Sequence, residues 1–348
     1  MARPLFTVEL PSSVEVAARG GYWWTEVGGQ RVRLSNLDKV FWPDAGYTKG
    51  DLVAYYHNVW PFIAPHLRDR PITLQRYPDG VGGQRFLHKT APNYTPDWVE
   101  RCHVPNFLGD GASNDFVMAN DEASLLFLAN IGCIEMHALH GRCPRPAFPD
   151  YVFFDLDPFE PASIEDALSV AELVRAALDT LELPSYPRLS GDTGVHVYVP
   201  IERGPSFDST RAFAERVARA VHGVAPEHVT LEWPLTKRSG RVFVDCNMNR
   251  RGQNVAAAYS LRPTPEATVC TPLTWDEVAR RPRPQDFTIV TVHERLSRVG
   301  DLAEPVMSRP VDITGAMTKL GVRPDPVDPD EHRAVAHRGP YRQALETT

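Results

Sequence analysis

No run of about 18 apolar residues, the length a helix needs to cross a bilayer, occurs in the 348-residue chain. A helical membrane protein is therefore not expected, nor a membrane partner. Met1-Ala2-Arg3-Pro4 leads into no charged-then-apolar leader, so the expectation is a cytoplasmic protein. Cysteine is scarce: Cys102, Cys133, Cys143, Cys246 and Cys270 are an odd five, which reads as reduced thiols and not as a disulfide framework. Excess positive charge is missing too. At a net charge of −7 the chain is not coated for a polyanion, and any cationic surface has to be local. A zinc knuckle is also wanting. Cys133, His137, His140 and Cys143 are spaced suggestively, but a strand puts Cys133 and His137 on one face and His140 past its end, with no two-residue cysteine knuckle.

Proline is in excess, 32 residues against a usual share of about 5%, which implies many turns and extended connections. With 43% hydrophobic and 23% charged residues, the chain has the composition of a globular protein and the length for two modules.

The rest is organised around Tyr151-Val152-Phe153-Phe154-Asp155-Leu156-Asp157-Pro158. A strand alternates faces with period two, so Asp155 and Asp157 project together while Phe154 and Leu156 pack behind them, and Pro158 ends the ladder. Two like charges that close repel, and a cation between them is one remedy; a strand-end turn with solvated acids is the other reading. Downstream, Ser163 and Asp166 cap a helix with the stripe Ala167, Val170, Ala171, Val174, Ala177, Leu178 and Leu181. The turn Ser190-Gly191-Asp192-Thr193-Gly194 feeds a strand carrying His196 and Tyr198, and its amides suit a phosphate. A helix from Thr210 to His222, a strand over Val229–Trp233 and a strand over Arg241–Asn247 follow, the last turning Asp245 away from Val242 and Val244. Residues 231–262 carry a local net charge of +4, a basic stripe beside the third carboxylate.

Upstream, Gly21–Val27 reads as an edge hairpin or N-terminal extension. Thr48 with Asp51 caps a helix whose apolar face runs Leu52, Tyr55, Tyr56, Val59, Trp60 and Ile63. Arg68, Arg70, Arg76, Arg85, His88 and Lys89 alternate with Tyr77 and Phe86, a pattern that suits phosphate contact and base stacking or a solvated loop. Residues 124–130 form a helix and Cys133–Leu139 a strand on which Glu135 and His137 share a face and line a cleft.

Three carboxylates with flanking cations fit a two-metal site for nucleotidyl transfer. Phe154 to Pro158, Ser190-Gly191 through His196, and Val244-Asp245 resemble the three ordered motifs of the archaeo-eukaryotic primase superfamily. Within it the likeness is to the polymerase domain of bacterial DNA ligase D and its stand-alone primase-polymerase relatives. Leu34 to Pro43, Ile134 to His137 and Ala258 to Arg262 carry it further. The resemblance implies an α+β primase-polymerase fold over residues 31–305, with an RRM-like catalytic sheet around 150–262 packed on an N-terminal α/β module. Residues 1–30 are then an extension and 306–348 a Pro/Asp-rich tail.

The implied activity is DNA-directed nucleotidyl transfer that extends DNA ends and fills short gaps, in end joining or excision gap repair, with a preference for ribonucleotides. Two divalent ions, Mn²⁺ or Mg²⁺, fall to Asp155, Asp157 and Asp245. Nucleotide contacts fall to Ser190, His196, Arg262, His137 and Arg238. A downstream 5′-phosphate falls to Asn36, Lys39 and Lys49, and base stacking to Phe86. Asn36 and Lys39 are three apart, as on a helical turn, and Lys49 enters at the helix cap, whose free amides attract anions. The implied partners are NTP or dNTP, gapped or broken DNA, a separate DNA ligase and the end-binding Ku protein, for a monomer associated with the bacterial nucleoid. No Lys-x-Asp-Gly adenylation signature is present, so ligation is expected from another protein. The family's phosphate loop often carries lysine where Thr193 stands. A non-catalytic DNA-end-binding module and a metal-dependent phosphohydrolase are the rival readings; the first has no need of three acids on one face, and the second calls for a His-rich ligand set.

Overall fold

Local chemistry starts most of the elements in the computed structural model, which describes residues 15–16, 22–104, 113–325 and 333–339. Strands β1 (Tyr22–Val27) and β2 (Gln30–Ser35) form a hairpin that turns at Gly28-Gly29, where φ is 59° and 77°, a region glycine enters without a Cβ penalty. Thr48 and Asp51 cap helix α1 (Lys49–Leu67) reciprocally, and Leu52, Tyr55, Tyr56, Val59 and Ile63 are buried as the stripe predicts, while Trp60 is half-buried at its margin. Strand β3 (Ile72–Arg76), helix α2 (Glu122–Asn130, capped by Asp121) and strand β4 (Cys133–Leu139) complete the inner part of the first module. Its seven-stranded sheet runs Asn254–Ala256, β4, β3, Asn114–Val117, Glu100–Val104 and Val335–Arg338, with Phe86–His88 paired to β3.

The second module is built on β5 (Tyr151–Pro158). Helix α3 (Ile164–Asp179), strands β6 (Tyr186–Leu189) and β7 (Val195–Pro200), helix α4 (Phe207–Val224) and strand β8 (Val242–Val244) follow in the chain. Spatially the strands run β8, β5, β7, β6, the order of an RRM-like sheet, with Val229–Thr230 and Thr271–Pro272 at the edges. Val152, Phe154 and Leu156 pack in one core with Ala167, Val170, Ala171 and Val174 of α3 and Phe213 and Val217 of α4. The helices thus cover one face, and the acids look out from the other. The fold is α+β, as expected.

Three details depart from the sequence reading. The strand expected over Val229–Trp233 stops at Thr230, because the Glu232 amide turns back to Thr230 Oγ1 (3.2 Å) and Pro234 has no N–H to offer a ladder. The strand expected to Asn247 stops at Val244, because the Asp245 carboxylate accepts the Asn247 amide (2.9 Å) and starts a 3₁₀ turn. Residues 306–325 are more than a tail: Ile313, Met317 and Val322 are buried in the second core. Residues 1–14 and 17–21 of the expected extension, and 326–332 and 340–348 of the expected tail, lie outside the described residues.

A buried ion pair ties the modules together. Arg70, 1% exposed, donates to both oxygens of Asp150 at 2.6 and 2.7 Å and to the carbonyls of Leu139 and His140 at the end of β4. Arg142 Nε meets the same carboxylate at 2.6 Å. Burial alone raises the Asp150 pKa, but the two guanidiniums bring it down to about 2. Removing one partner of such a pair strands a buried charge, so Asp150→Asn should lower stability by about 3–5 kcal/mol in urea unfolding at neutral pH. A folded pKa below the unfolded one stabilises the fold above about pH 4 and loses that contribution as pH falls toward about 2. The difference between wild type and Asp150→Asn should therefore shrink over that descent; a gap independent of pH would contradict the ion-pair origin.

Candidate active site

The antiparallel register sets Asp155 beside His196 on β7 and Asp157 beside Phe243 on β8. Asp245 follows β8 directly, and its amide donates to the Asp155 carbonyl at 2.9 Å, which brings the third acid to the same strand end. All three carboxyls are held above their ordinary range. Burial lifts Asp155 to about 6 against the pull of Arg188 and Arg262. Burial, then repulsion from Asp155 and Asp245, lifts Asp157 to about 8 despite Arg238. Burial and then Asp155 also raise Asp245, against the hydrogen bond from the Asn247 amide. Among the described residues no three His, Cys, Asp or Glu groups converge into a finished metal cage.

His196 lies behind the acids, 5% exposed. Arg188 Nη2 donates to its Nδ1 at 2.9 Å; a guanidinium cannot accept, so the ring proton sits on Nε2, which faces Asp155 Oδ1 at 3.1 Å. Burial and the neighbouring Arg188 keep the imidazole neutral, its pKa well below the usual range. The residue expected to touch a nucleotide phosphate is thus in contact with a carboxylate. Arg188 is the group that the sequence reading missed. It sits across from His196 in the β6–β7 register, and strand alternation alone places both on the acid face.

The glycine turn approaches the acids closely. A Cβ on Gly194 would stand 3.0 Å from Asp157 Oδ1, so a larger residue there presses on the carboxylate. Ser190 Oγ accepts the amides of Asp192 (3.2 Å) and Gly194 (3.0 Å), which means that the side chain already occupies two donors expected for a phosphate. Arg262 Nη1 pairs with Glu135 at 2.7 Å and its other branch reaches Asp192 at 3.7 Å. His137 bridges Glu135 (3.3 Å) and Asn254 (3.1 Å), and Tyr77 donates to Glu135 at 2.9 Å. Burial alone raises the Glu135 pKa, yet His137, Arg262 and Tyr77 together hold it below the ordinary value. Arg238 lies 3.5 Å over the Phe243 ring, 7% exposed, and donates to the carbonyls of Glu232 and Trp233.

The residues expected at a downstream phosphate form a second cluster. Asn36 (φ 54°) closes a β-turn by accepting the Lys39 amide at 3.0 Å, where a helical turn was expected. The first amides of α1 are not free: Lys49 N bonds Lys39 O and Gly50 N bonds Leu37 O, both at 2.8 Å. Charge there comes from side chains. Lys39 Nζ binds Asp79 at 2.5 Å and the Pro78 carbonyl. Lys49 Nζ binds the Ser35 carbonyl at 2.6 Å, and burial, with Lys39 and Arg76 nearby, lowers its pKa to about 8. Phe86 stands at 39% exposure opposite Arg76.

Residues 48–303 match the family model described as LigD, primase-polymerase domain. The chain is 33% identical over 284 residues to the multifunctional non-homologous end joining protein LigD of Mycolicibacterium smegmatis, covering 80% of this chain and 36% of that protein. The bifunctional LigD of Bacillus subtilis is 30% identical over 271 residues, 78% of this chain and 43% of the relative. The chain therefore spans well under half the length of these relatives. Among solved structures, the polymerase domain of Mycobacterium tuberculosis ligase D in complex with DNA superposes with a TM-score of 0.76 at 31% identity, over 81% of this chain and all of that one. Shared motifs, fold and matched length leave one conclusion: this chain belongs to the LigD primase-polymerase domain family and is a nucleotidyltransferase of the polymerase type.

Proposed function

We propose that the chain extends DNA ends and fills short gaps in repair, using divalent ions on Asp155, Asp157 and Asp245 and preferring ribonucleotides. The reading extends to a cytoplasmic, nucleoid-associated monomer that works with a separate ligase and with Ku. One observation carries it: strand pairing brings three half-buried carboxyls to one strand end, where burial raises all three pKa values and mutual repulsion adds to it for Asp157 and Asp245. The donor set is hard oxygen, which suits Mg²⁺ or Mn²⁺. When bound, such ions neutralise charge on the transferring phosphoryl group and activate the attacking hydroxyl. The chain's own residues orient. His196 fixes Asp155, and Arg262 with His137 offers donors to the triphosphate beside Glu135.

Replacing Asp155, Asp157 or Asp245 with alanine should cut turnover by about 10³-fold or more while DNA affinity is largely kept. Full activity in Asp245→Ala would remove it from the site. Raised carboxyl pKa values destabilise the fold as pH rises from about 4 through about 8, so added Mn²⁺ should raise Tm, increasingly across that range. In Asp157→Ala that pH-dependent shift should shrink, most of all between about pH 6 and pH 8, where Asp155 has already ionised.

Arg262→Ala should raise the nucleotide KM by roughly 10- to 100-fold, since charge-assisted bonds contribute about 1.5–3 kcal/mol each. An unchanged KM would place the triphosphate elsewhere.

Asn36, Lys39 and Lys49 are read as the seat of the downstream 5′-phosphate, with Phe86 stacking on a base. Wild type should bind a phosphorylated gap more tightly than an unphosphorylated one. Lys39→Ala and Lys49→Ala should erase that preference and leave extension of a plain primer nearly intact; variants that still discriminate would move the pocket.

A further inference from the structure

Arg188 is a buried cation without a carboxylate of its own. It is 6% exposed on β6, forms no ion pair among the described residues, and its Nε finds no hydrogen-bond partner there. Burying a guanidinium in that state is costly, so packing alone does not account for it. Three contacts fix the group. Its guanidinium carbon lies 4.7 Å from the centroid of the Tyr198 ring, and Nη2 donates to the Ala256 carbonyl and to His196 Nδ1, both at 2.9 Å. Nη2 also donates to the Tyr198 hydroxyl, which stands 3.5 Å from the same Nδ1. A ring proton on Nδ1 would meet a guanidinium N–H head-on, so the proton is confined to Nε2.

The consequence reaches Asp155. Nε2 faces its Oδ1 at 3.1 Å, a separation at which a bare nitrogen would set lone pair against lone pair. Oδ1 is therefore engaged by the ring, whereas Oδ2 has no hydrogen-bond donor among the described residues. A carboxylate held in this way offers a cation one oxygen and not two. Mg²⁺ and Mn²⁺ are served by single oxygens in octahedral array, while Ca²⁺ gathers about six to eight and gains from carboxylates that close on it with both.

We propose that Arg188 is a positioning residue for the divalent ions: through His196 it holds Oδ1 of Asp155, leaves Oδ2 to the cation, and so favours Mg²⁺ and Mn²⁺ over Ca²⁺. The proposal rests on the reading of the three acids as metal ligands and adds to it a residue that pairs directly with none of them. Ala256 lies on the strand paired with β4, opposite His137, so the orientation of Asp155 also depends on the docking of the two sheets.

Two measurements on the full chain test it, both at one neutral pH. Histidine-selective ¹⁵N NMR of the metal-free protein, with His196 assigned by the signals lost in His196→Gln, should show a protonated Nε2 and a bare Nδ1. In Arg188→Met/Tyr198→Phe, which removes both donors to Nδ1, the Nδ1–H form should become populated. Titration calorimetry with the metal alone should find Mn²⁺ bound about 10- to 100-fold more weakly by that variant, the usual effect of losing a group that orients a ligand. Ca²⁺ should lose less, so the preference for Mn²⁺ narrows. Arg188→Lys should recover Mn²⁺ affinity to the extent that it recovers the Nε2–H form, and metal-free DNA binding at the wild-type level shows that each variant is folded. A wild-type ring protonated on Nδ1 overturns the proposal without any variant. So does a tautomer shift that leaves both metal affinities unchanged, or a loss of Mn²⁺ affinity with the tautomer unmoved. If wild type binds neither ion while the ring proton is where the contacts put it, the reading of the acids as metal ligands falls and the hold of Arg188 on His196 stands.

Discussion

Mutual repulsion among Asp155, Asp157 and Asp245 is the constraint around which the molecule is arranged. Three carboxyls at one strand end, largely removed from water, are unstable as anions, and the surrounding groups answer that problem without abolishing it. Arg188 and Arg262 pull on Asp155, and Arg238 pulls on Asp157 and Asp245. None of these cations forms a direct ion pair with the acids among the described contacts. Each is tethered to something else: Arg188 to His196 and the Ala256 carbonyl, Arg262 to Glu135, Arg238 to two backbone carbonyls. Positive charge is thereby kept near the carboxylates without a direct ion pair, and the only bonds to them described above are from neutral groups, His196 to Asp155 and the Asn247 amide to Asp245.

The same logic explains why two sheets are needed. Asp155 and Asp157 sit on β5 and Asp245 at the end of β8, strands whose backs are spent on the helices α3 and α4. Counter-charges come from both sides: Arg188 stands on β6 of the same sheet, and Arg262 reaches in from beside the first. Glu135 and His137 stand on β4, and Arg262 reaches Glu135 while its charge also acts on Asp155. Arg70 and Asp150 clamp the far end of this junction, so the spacing between the carboxylates and the β4 groups is set by a rigid contact and not by loops.

Much of this was legible in the residues themselves. The period-two alternation of Tyr151–Pro158 suffices to place Asp155 and Asp157 together, and Thr48/Asp51 and Ser163/Asp166 mark two helix starts to the residue. Side-chain partners were less legible. Nothing local to His196 tells that Arg188 holds its Nδ1, because the pairing depends on which strand lies alongside. Nor does the motif Ser190-Gly191 disclose that the serine hydroxyl folds back on the Asp192 and Gly194 amides. Strand ends were misjudged where a side chain out-competes the ladder for an amide, as Asp245 and Thr230 do. The packing of residues 306–325 was hidden by a proline-rich composition that conceals the apolar triplet Ile313, Met317 and Val322.

The short strand Val335–Arg338 lies at the outer edge of the first sheet, where it covers the hydrogen-bonding row of Glu100–Val104. A recombinant domain trimmed at the boundary of the family match would lose that cover together with Ile313, Met317 and Val322. It would present an unpaired strand edge and an empty apolar socket on one particle, the combination from which edge-to-edge polymers grow. An expression clone should therefore run past Gly339, whose amide still donates to the Asp97 carbonyl, and not stop at residue 303.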